Sequence, residues 1–204
     1  MLKKMVLHLN GAVKGIISDM KINGYLENST IYGINEPAFA IWFQGCSIRC
    51  NGCWNKDMWD KNGGYEIKVE KLLSIIANSH DACVTILGGE PFDQYNDLYT
   101  LVSGIKKLGK NIILYTGYEW KDVSIGGYPD KILEYVDVFV CGPYIETRRT
   151  LDNHLIGSNN QQIYFLTHAY RQDDIVDGTY VEIRIDKNAG IEIFGYPDDF
   201  TSEK

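Results

Sequence analysis

No apolar run in this 204-residue chain approaches the roughly 20 residues that a bilayer-spanning helix needs, so no membrane span is expected. Basic charge is scarce too: 20 Lys and Arg stand against 27 Asp and Glu, a formal net charge of −7. Broad nucleic-acid binding driven by phosphate contacts needs a basic footprint, and this composition does not supply one. The five prolines form no linker, and no repeat or low-complexity tract interrupts the chain. A single domain over residues 1–204 is therefore expected, with a core large enough to need no disulfides. Cysteine is sparse and odd in number, five in all, with three of them between residues 46 and 53 and no secretory signal pattern ahead of them. That pattern predicts a soluble protein of a reducing cytoplasm, where clustered thiols bind metal rather than pair.

What is present centres on residues 44–54, Gln-Gly-Cys-Ser-Ile-Arg-Cys-Asn-Gly-Cys-Trp. Cys46, Cys50 and Cys53 follow a C-x3-C-x2-C spacing directly after the apolar run 38–43, which places three thiols on one loop leaving a strand. Three is the informative number. A structural zinc site is normally closed by four side chains, and a cubane iron-sulfur cluster held wholly by protein needs four cysteines. A fourth ligand would have to come from Cys83, Cys141 or one of His8, His80, His154 and His168, none of which sits in a pairing that suggests a second half-site. Two readings stand: half of a zinc or ferredoxin-type site, or a [4Fe-4S] cluster with one iron left open.

Periodicity supplies the frame. The run 38–43 is too short for a helix and reads as a buried strand. Val69, Leu72, Leu73 and Ile76 share a helical face over about 68–78, and 82–87 reads as a strand buried on both faces. Leu98, Leu101, Val102, Ile105 and Leu108 form a second helical stripe, closed by Gly109 with Lys106 and Lys107 in its last turn. A third strand is expected over 111–116, a short helix beginning at Pro129, and a fourth strand over 136–141. This cadence predicts an α/β fold with a parallel sheet, whose ligand sits at the carboxyl ends of the strands. The loops with chemical character fall there: the cysteines, then Gly88-Gly89-Glu90-Pro91, then Thr116 to Tyr118, then Gly142 to Tyr144. In the first 30 residues the runs 5–9 and 11–17 suggest a β-rich lead-in, with a turn at Asn23-Gly24. At the other end, Val181, Ile183 and Ile185 alternate with Glu182 and Arg184 before a turn into 191–193. A β-hairpin with a half-buried face, spanning about 179–195 and flanking the sheet edge as a flap, is expected there.

The cysteine spacing, followed at once by Trp54, resembles the cluster motif of the radical S-adenosylmethionine (SAM) superfamily, and the Gly88-Gly89-Glu90 motif after the second strand resembles that superfamily's GGE motif. With Tyr115-Thr116-Gly117-Tyr118, the Val138-Phe139-Val140 strand running into Gly142-Pro143-Tyr144, and Gly157 to Gln161, the likeness narrows to the activating proteins of anaerobic (class III) ribonucleotide reductases, over about residues 29–166. That resemblance implies an incomplete (β/α) barrel and a [4Fe-4S] cluster bound by Cys46, Cys50 and Cys53, with the open iron taken by SAM. It implies Trp54 beside adenine, Gly88, Gly89 and Glu90 near the methionine amino group, and Thr116, Ser158 and Asn159 near the rest of SAM or the target glycine. The implied partners are a large glycyl radical enzyme and a flavodoxin or ferredoxin-type electron donor. No catalytic side chain beyond cluster and SAM is implied.

Two departures stand out: Cys141 ends the fourth strand where an acidic residue is usual in that family, and Asn159-Asn160 replaces a Ser-Asn pair. Cys83 and Cys141 read as small buried strand residues, Arg148 and Arg149 as solvated loop charges, and His154 and His168 as structural. The competing functions are SAM chemistry on another substrate, as in 7-carboxy-7-deazaguanine synthases, and a zinc or electron-transfer module without SAM.

Overall fold

Every side chain of the segment ahead of the cysteines is buried, because it is packed from both sides. The computed structural model describes residues 19–124, 129–178, 180–185, 187–188 and 190–195, so the apolar runs 5–9 and 11–17, with His8, lie outside the described residues. In chain order the strands are β1 (Met20–Ser29), β2 (Ala38–Phe43), β3 (Tyr65–Ile67), β4 (Cys83–Gly88), β5 (Asn111–Thr116), β6 (Val138–Cys141), β7 (Gln162–Phe165), β8 (Val181–Ile185) and β9 (Ile191–Gly195). The helices are α1 (Val69–Asn78), α2 (Tyr95–Lys107), α3 (Trp120–Ser124) and α4 (Pro129–Leu133). Strands β1 to β7 form one open sheet in the order β3-β1-β2-β4-β5-β6-β7, and β8-β9 form a separate pair. The centre, β2-β4-β5-β6, is parallel, as expected from the strand and helix alternation. The sheet does not close on itself.

Alternation along the strands sorts side chains between two cores. Phe39, Ile41 and Phe43, with Val84, Ile86, Ile112, Leu114 and Phe139, pack beneath Leu72 and Ile76 of α1 and Leu98, Leu101 and Ile105 of α2. On the other face Ala38, Cys83, Ile113, Val138 and Val140 meet Ile34, Leu155 and Tyr170. Cys83 and Cys141 are thus buried packing residues, and burial pushes their thiols up to about 12 and about 11. Neither is poised to act as a thiolate.

Three elements differ from the sequence expectations. The sheet carries antiparallel edges, since β1 pairs with β2 and β3, and β7 pairs with β6. Asn23-Gly24 makes no turn; both residues lie inside β1, where the register against β2 shifts between Ile22 and Gly24, and Asn23 Nδ2 donates to Gln44 Oε1 at 3.1 Å. A bulge has taken the place of the turn because Asn-Gly tolerates either. The β8-β9 hairpin is present, but its half-buried face is the one carrying Glu182, Arg184 and Phe194. Glu182 accepts from Ser29 Oγ at 2.8 Å and from the Thr30 N–H at 3.0 Å, Arg184 donates to the Glu27 and Asn28 carbonyls at 2.9 Å, and Phe194 stacks on Trp42.

Candidate active site

The parallel strands all deliver their carboxyl ends to one edge of the sheet, and the loops that follow enclose a cavity. Its wall includes Cys46, Cys50 and Cys53 after β2, Gly88, Gly89 and Glu90 after β4, Thr116 and Gly117 at the end of β5, and Gly142 and Tyr144 after β6. The four loops singled out from the sequence are therefore one site.

The cysteine loop is held from three sides. Buried Gln44 donates through Nε2 to the carbonyls of Asp57 and Asp60 at 3.1 and 2.7 Å, and the Gly45 N–H reaches the Met58 carbonyl at 2.8 Å, so the returning segment brackets the loop. Gly88 and Gly89 bring the second loop against it. A Cβ on Gly88, at φ +112°, would stand 2.4 Å from the Phe43 nitrogen, and one on Gly89 would stand 2.1 Å from the Gly45 carbonyl oxygen. In that contact the Gly89 N–H donates to Phe43 O and the Glu90 N–H to Gly45 O, each at 2.8 Å. The glycine pair expected to admit a ligand thus also serves the approach of two backbones. Asp93 completes the clamp, accepting from the Ser47 N–H and from Ser47 Oγ, both at 2.7 Å.

That bidentate grip next to Cys46 fixes a ligand-bearing loop, a role whose loss typically costs 10- to 100-fold in metal affinity. Asp93→Ala is accordingly expected to leave the fold intact while reconstituted iron is lost to a chelator about tenfold faster than from the wild type. Equal rates of iron loss would remove Asp93 from the site.

All three loop thiols are unpaired and half-buried. Burial first, and the nearby carboxylates after it, raise the Cys46 thiol above its ordinary value, and burial also raises Cys50. Metal binding would have to displace those protons. Among the described residues no three His, Cys, Asp or Glu side chains converge closely enough to share a single metal ion. A cubane makes a different demand, one thiolate on each of three irons, and three thiols spread along one cavity wall are suited to it.

Glu90 is the electrostatic centre. It is 1% exposed, and its carboxylate accepts from Thr116 Oγ1 and the Gly117 N–H at 2.9 Å and from the Phe92 N–H at 3.0 Å. These partners are neutral dipoles, none a cation. They stabilise the charge without matching the desolvation, which lifts the carboxyl to about 7. The Thr-Gly after β5 is the cradle of this carboxylate, and Thr116 acts through it. The site therefore offers an aimed, buried carboxylate on the wall of a cavity shared with three thiols, suited to a ligand that brings a positive group.

Other expected residues lie elsewhere. Trp54 is 45% exposed under the Arg149 guanidinium, 5.4 Å from its ring centre, and is not part of the cavity wall. Ser158 is buried with its hydroxyl accepting from the Ile145 N–H, and Asn159 accepts from Arg148 Nε, so both shape the loop after β6 rather than line the cavity. Gly157, Gln161, His154, Tyr32 and Tyr180, by contrast, line the cavity. His154 shares an edge contact with Tyr180, a pairing that only the fold creates.

Comparison with known proteins places these observations. Residues 35–164 match the model of a 4Fe-4S single cluster domain. The chain is 29% identical over 146 residues to an anaerobic ribonucleoside-triphosphate reductase-activating protein of Salmonella typhimurium, a match covering 65% of this chain and 92% of that protein. It is 36% identical over 84 residues to the pyruvate formate-lyase 1-activating enzyme of Escherichia coli, covering 38% of this chain and 34% of that one. A shorter likeness, 38% over 72 residues, joins it to a 7-carboxy-7-deazaguanine synthase of Hyperthermus butylicus and covers 35% of this chain and 31% of that enzyme.

Proposed function

Because this chain belongs to the 4Fe-4S single cluster domain family, as a radical SAM enzyme of the glycyl-radical-activating type, we propose that it installs a glycyl radical on an anaerobic ribonucleotide reductase. Cys46, Cys50 and Cys53 would hold a [4Fe-4S] cluster with its fourth iron open, and Glu90 would take the amino group of SAM. When bound, the cluster and SAM would supply, for each electron received, methionine and the 5′-deoxyadenosyl radical chemistry able to abstract hydrogen from a glycine Cα. The protein's own part is to present three thiolates, to pair one buried carboxylate with the substrate's ammonium, and to keep water from the reacting atoms. Glu90 carries the reading: a buried carboxylate braced by three dipoles but no cation is arranged for a cationic ligand. Trp54 would lie beside adenine, and Ser158 and Asn159 would serve the rest of SAM or the target glycine through the loop after β6 that they shape.

The same reading makes residues 1–204 one domain working in the cytoplasm with a flavodoxin or ferredoxin-type donor. Among the described residues no helix is long and apolar enough to cross a membrane. The reductase is favoured as target because that likeness runs through 92% of the relative, whereas the deazaguanine synthase likeness stays within a third of its own. The test is anaerobic incubation with SAM, dithionite and the reductase of the same organism. Deoxyadenosine with a glycyl signal in electron paramagnetic resonance is the expected result; deoxyadenosine with no glycyl signal would keep the SAM chemistry and move the target to a different protein, peptide or small molecule.

A further inference from the structure

We propose that the outward face of the β8-β9 hairpin docks the protein that bears the target glycine, an inference that rests on the function proposed above. The hairpin is turned opposite to the usual rule. Its polar and aromatic face is anchored on the end of β1 and on Trp42, through Glu182, Arg184 and Phe194. Its aliphatic face is turned to solvent, with Val181 36%, Ile183 60%, Ile185 70%, Ile191 64% and Ile193 59% exposed. The cross-strand pairs Ile183–Ile193 and Ile185–Ile191 make this a continuous ribbon rather than scattered side chains. Burying these isoleucines would stabilise the fold, so their display is explained by what covers them in use.

The ribbon adjoins the cavity. Gly195, the last residue of β9, and Tyr180, just before β8, both line the cavity wall, and the Gly195 N–H donates to the Tyr32 hydroxyl at 3.2 Å. A macromolecule that inserts a glycine into this cavity must lay its surface across that rim. The area decides between occupants. The five aliphatic side chains together expose on the order of 500 Å², the size of the largest apolar patch on a typical monomer, which is often functional, but below the roughly 800 Å² per partner of a stable interface. A second copy meeting this face alone falls short, whereas a partner that also seals the cavity mouth reaches it. The hairpin also lies outside residues 35–164, the stretch that matches the cluster-domain model.

The test substitutes Ile183→Thr together with Ile193→Thr in the full chain, reconstituted anaerobically. Threonine keeps the β-branched shape that suits a strand while making the ribbon polar. The probe is the anaerobic ribonucleotide reductase of the same organism. Expected are deoxyadenosine formation without reductase within twofold of the wild type, a Kd for reductase weakened at least tenfold, and a proportionate fall in glycyl radical at limiting reductase. An unchanged Kd and radical yield would overturn the docking site while leaving the function in place. A wild-type dimer that the substitutions dissociate, with reductase affinity unchanged, would assign the ribbon to a second copy and overturn it equally. A wild type that cleaves SAM yet neither binds nor activates the reductase would overturn the function proposed above, and the docking site with it.

Discussion

Changing any one of Cys46, Cys50 or Cys53 to alanine is expected to bring SAM cleavage below detection and to leave the reconstituted protein with far less than four iron and four sulfide per chain. Each thiol has its own iron to hold, so the loss of one cannot be shared by the others. The other two cysteines offer no substitute: Cys83 and Cys141 are sealed in the two cores, with thiols pushed to about 12 and about 11. Alanine at either buried position should therefore retain cluster and activity, at a stability cost of about 1 kcal/mol for the small void. Iron and sulfide analysis of the five single variants separates the two groups. A cluster that survives loss of a loop cysteine, or tight zinc in place of iron, would contradict the assignment.

The second large effect is at Glu90. Its carboxyl sits at about 7 in the folded protein against an ordinary 4.5, so the native state holds a proton that the unfolded chain has released. The ligand-free protein should consequently lose stability as pH rises from about 4.5 through about 7, by about 3 kcal/mol in all, and change little from this source above that. Glu90→Gln should flatten that slope. SAM binding should run the other way, since only the ionised carboxylate can pair with an ammonium. Affinity should rise as pH climbs through about 7 and fall again once the amino group of SAM deprotonates, near 8. Gln at this position can accept through one oxygen but turns an N–H toward the Gly117 N–H or the Phe92 N–H, and SAM affinity should drop about 100-fold with the pH profile lost. Calorimetric titration with SAM between pH 6 and 9 reads both effects, and equal affinity in the two proteins would remove Glu90 from the site.

How much of this was legible in the chain follows from how local each signal is. The buried strand ahead of Cys46, the glycine pair after β4 and the stripe of α2 are written in neighbouring residues, and the structure has them where the sequence places them. The parallel centre follows from their alternation. Strand β7 was missed because its four residues, Gln-Ile-Tyr-Phe, carry too short a pattern to read alone and are strand only by pairing with β6. The hairpin shows the limit of alternation as a signal. Period two reveals two faces, but which one docks is set by Ser29, Thr30 and the Glu27 and Asn28 carbonyls more than 150 residues earlier.

The site divides in the same way. The cysteines, Gly88, Gly89, Glu90 and Thr116 are found together in one cavity wall, while Trp54, Ser158 and Asn159 are found beside it. Ser158 was named only through the family resemblance, and no local pattern tells that its hydroxyl closes the loop by accepting from the Ile145 N–H. The Asp93 clamp on Ser47 had no usable signal, since an acidic residue at the start of a helical segment looks like an ordinary N-terminal charge.

The measurement that tests the central claim most directly follows the hydrogen atom. The reductase of the same organism is prepared with glycine deuterated at Cα and incubated anaerobically with this protein, SAM and reductant, and the 5′-deoxyadenosine is weighed by mass spectrometry. Deoxyadenosine heavier by one deuterium, appearing together with the glycyl signal, is the result predicted here. Deoxyadenosine formed at normal rate but carrying no deuterium would show that the radical made at this site takes its hydrogen from something other than a glycine of that enzyme.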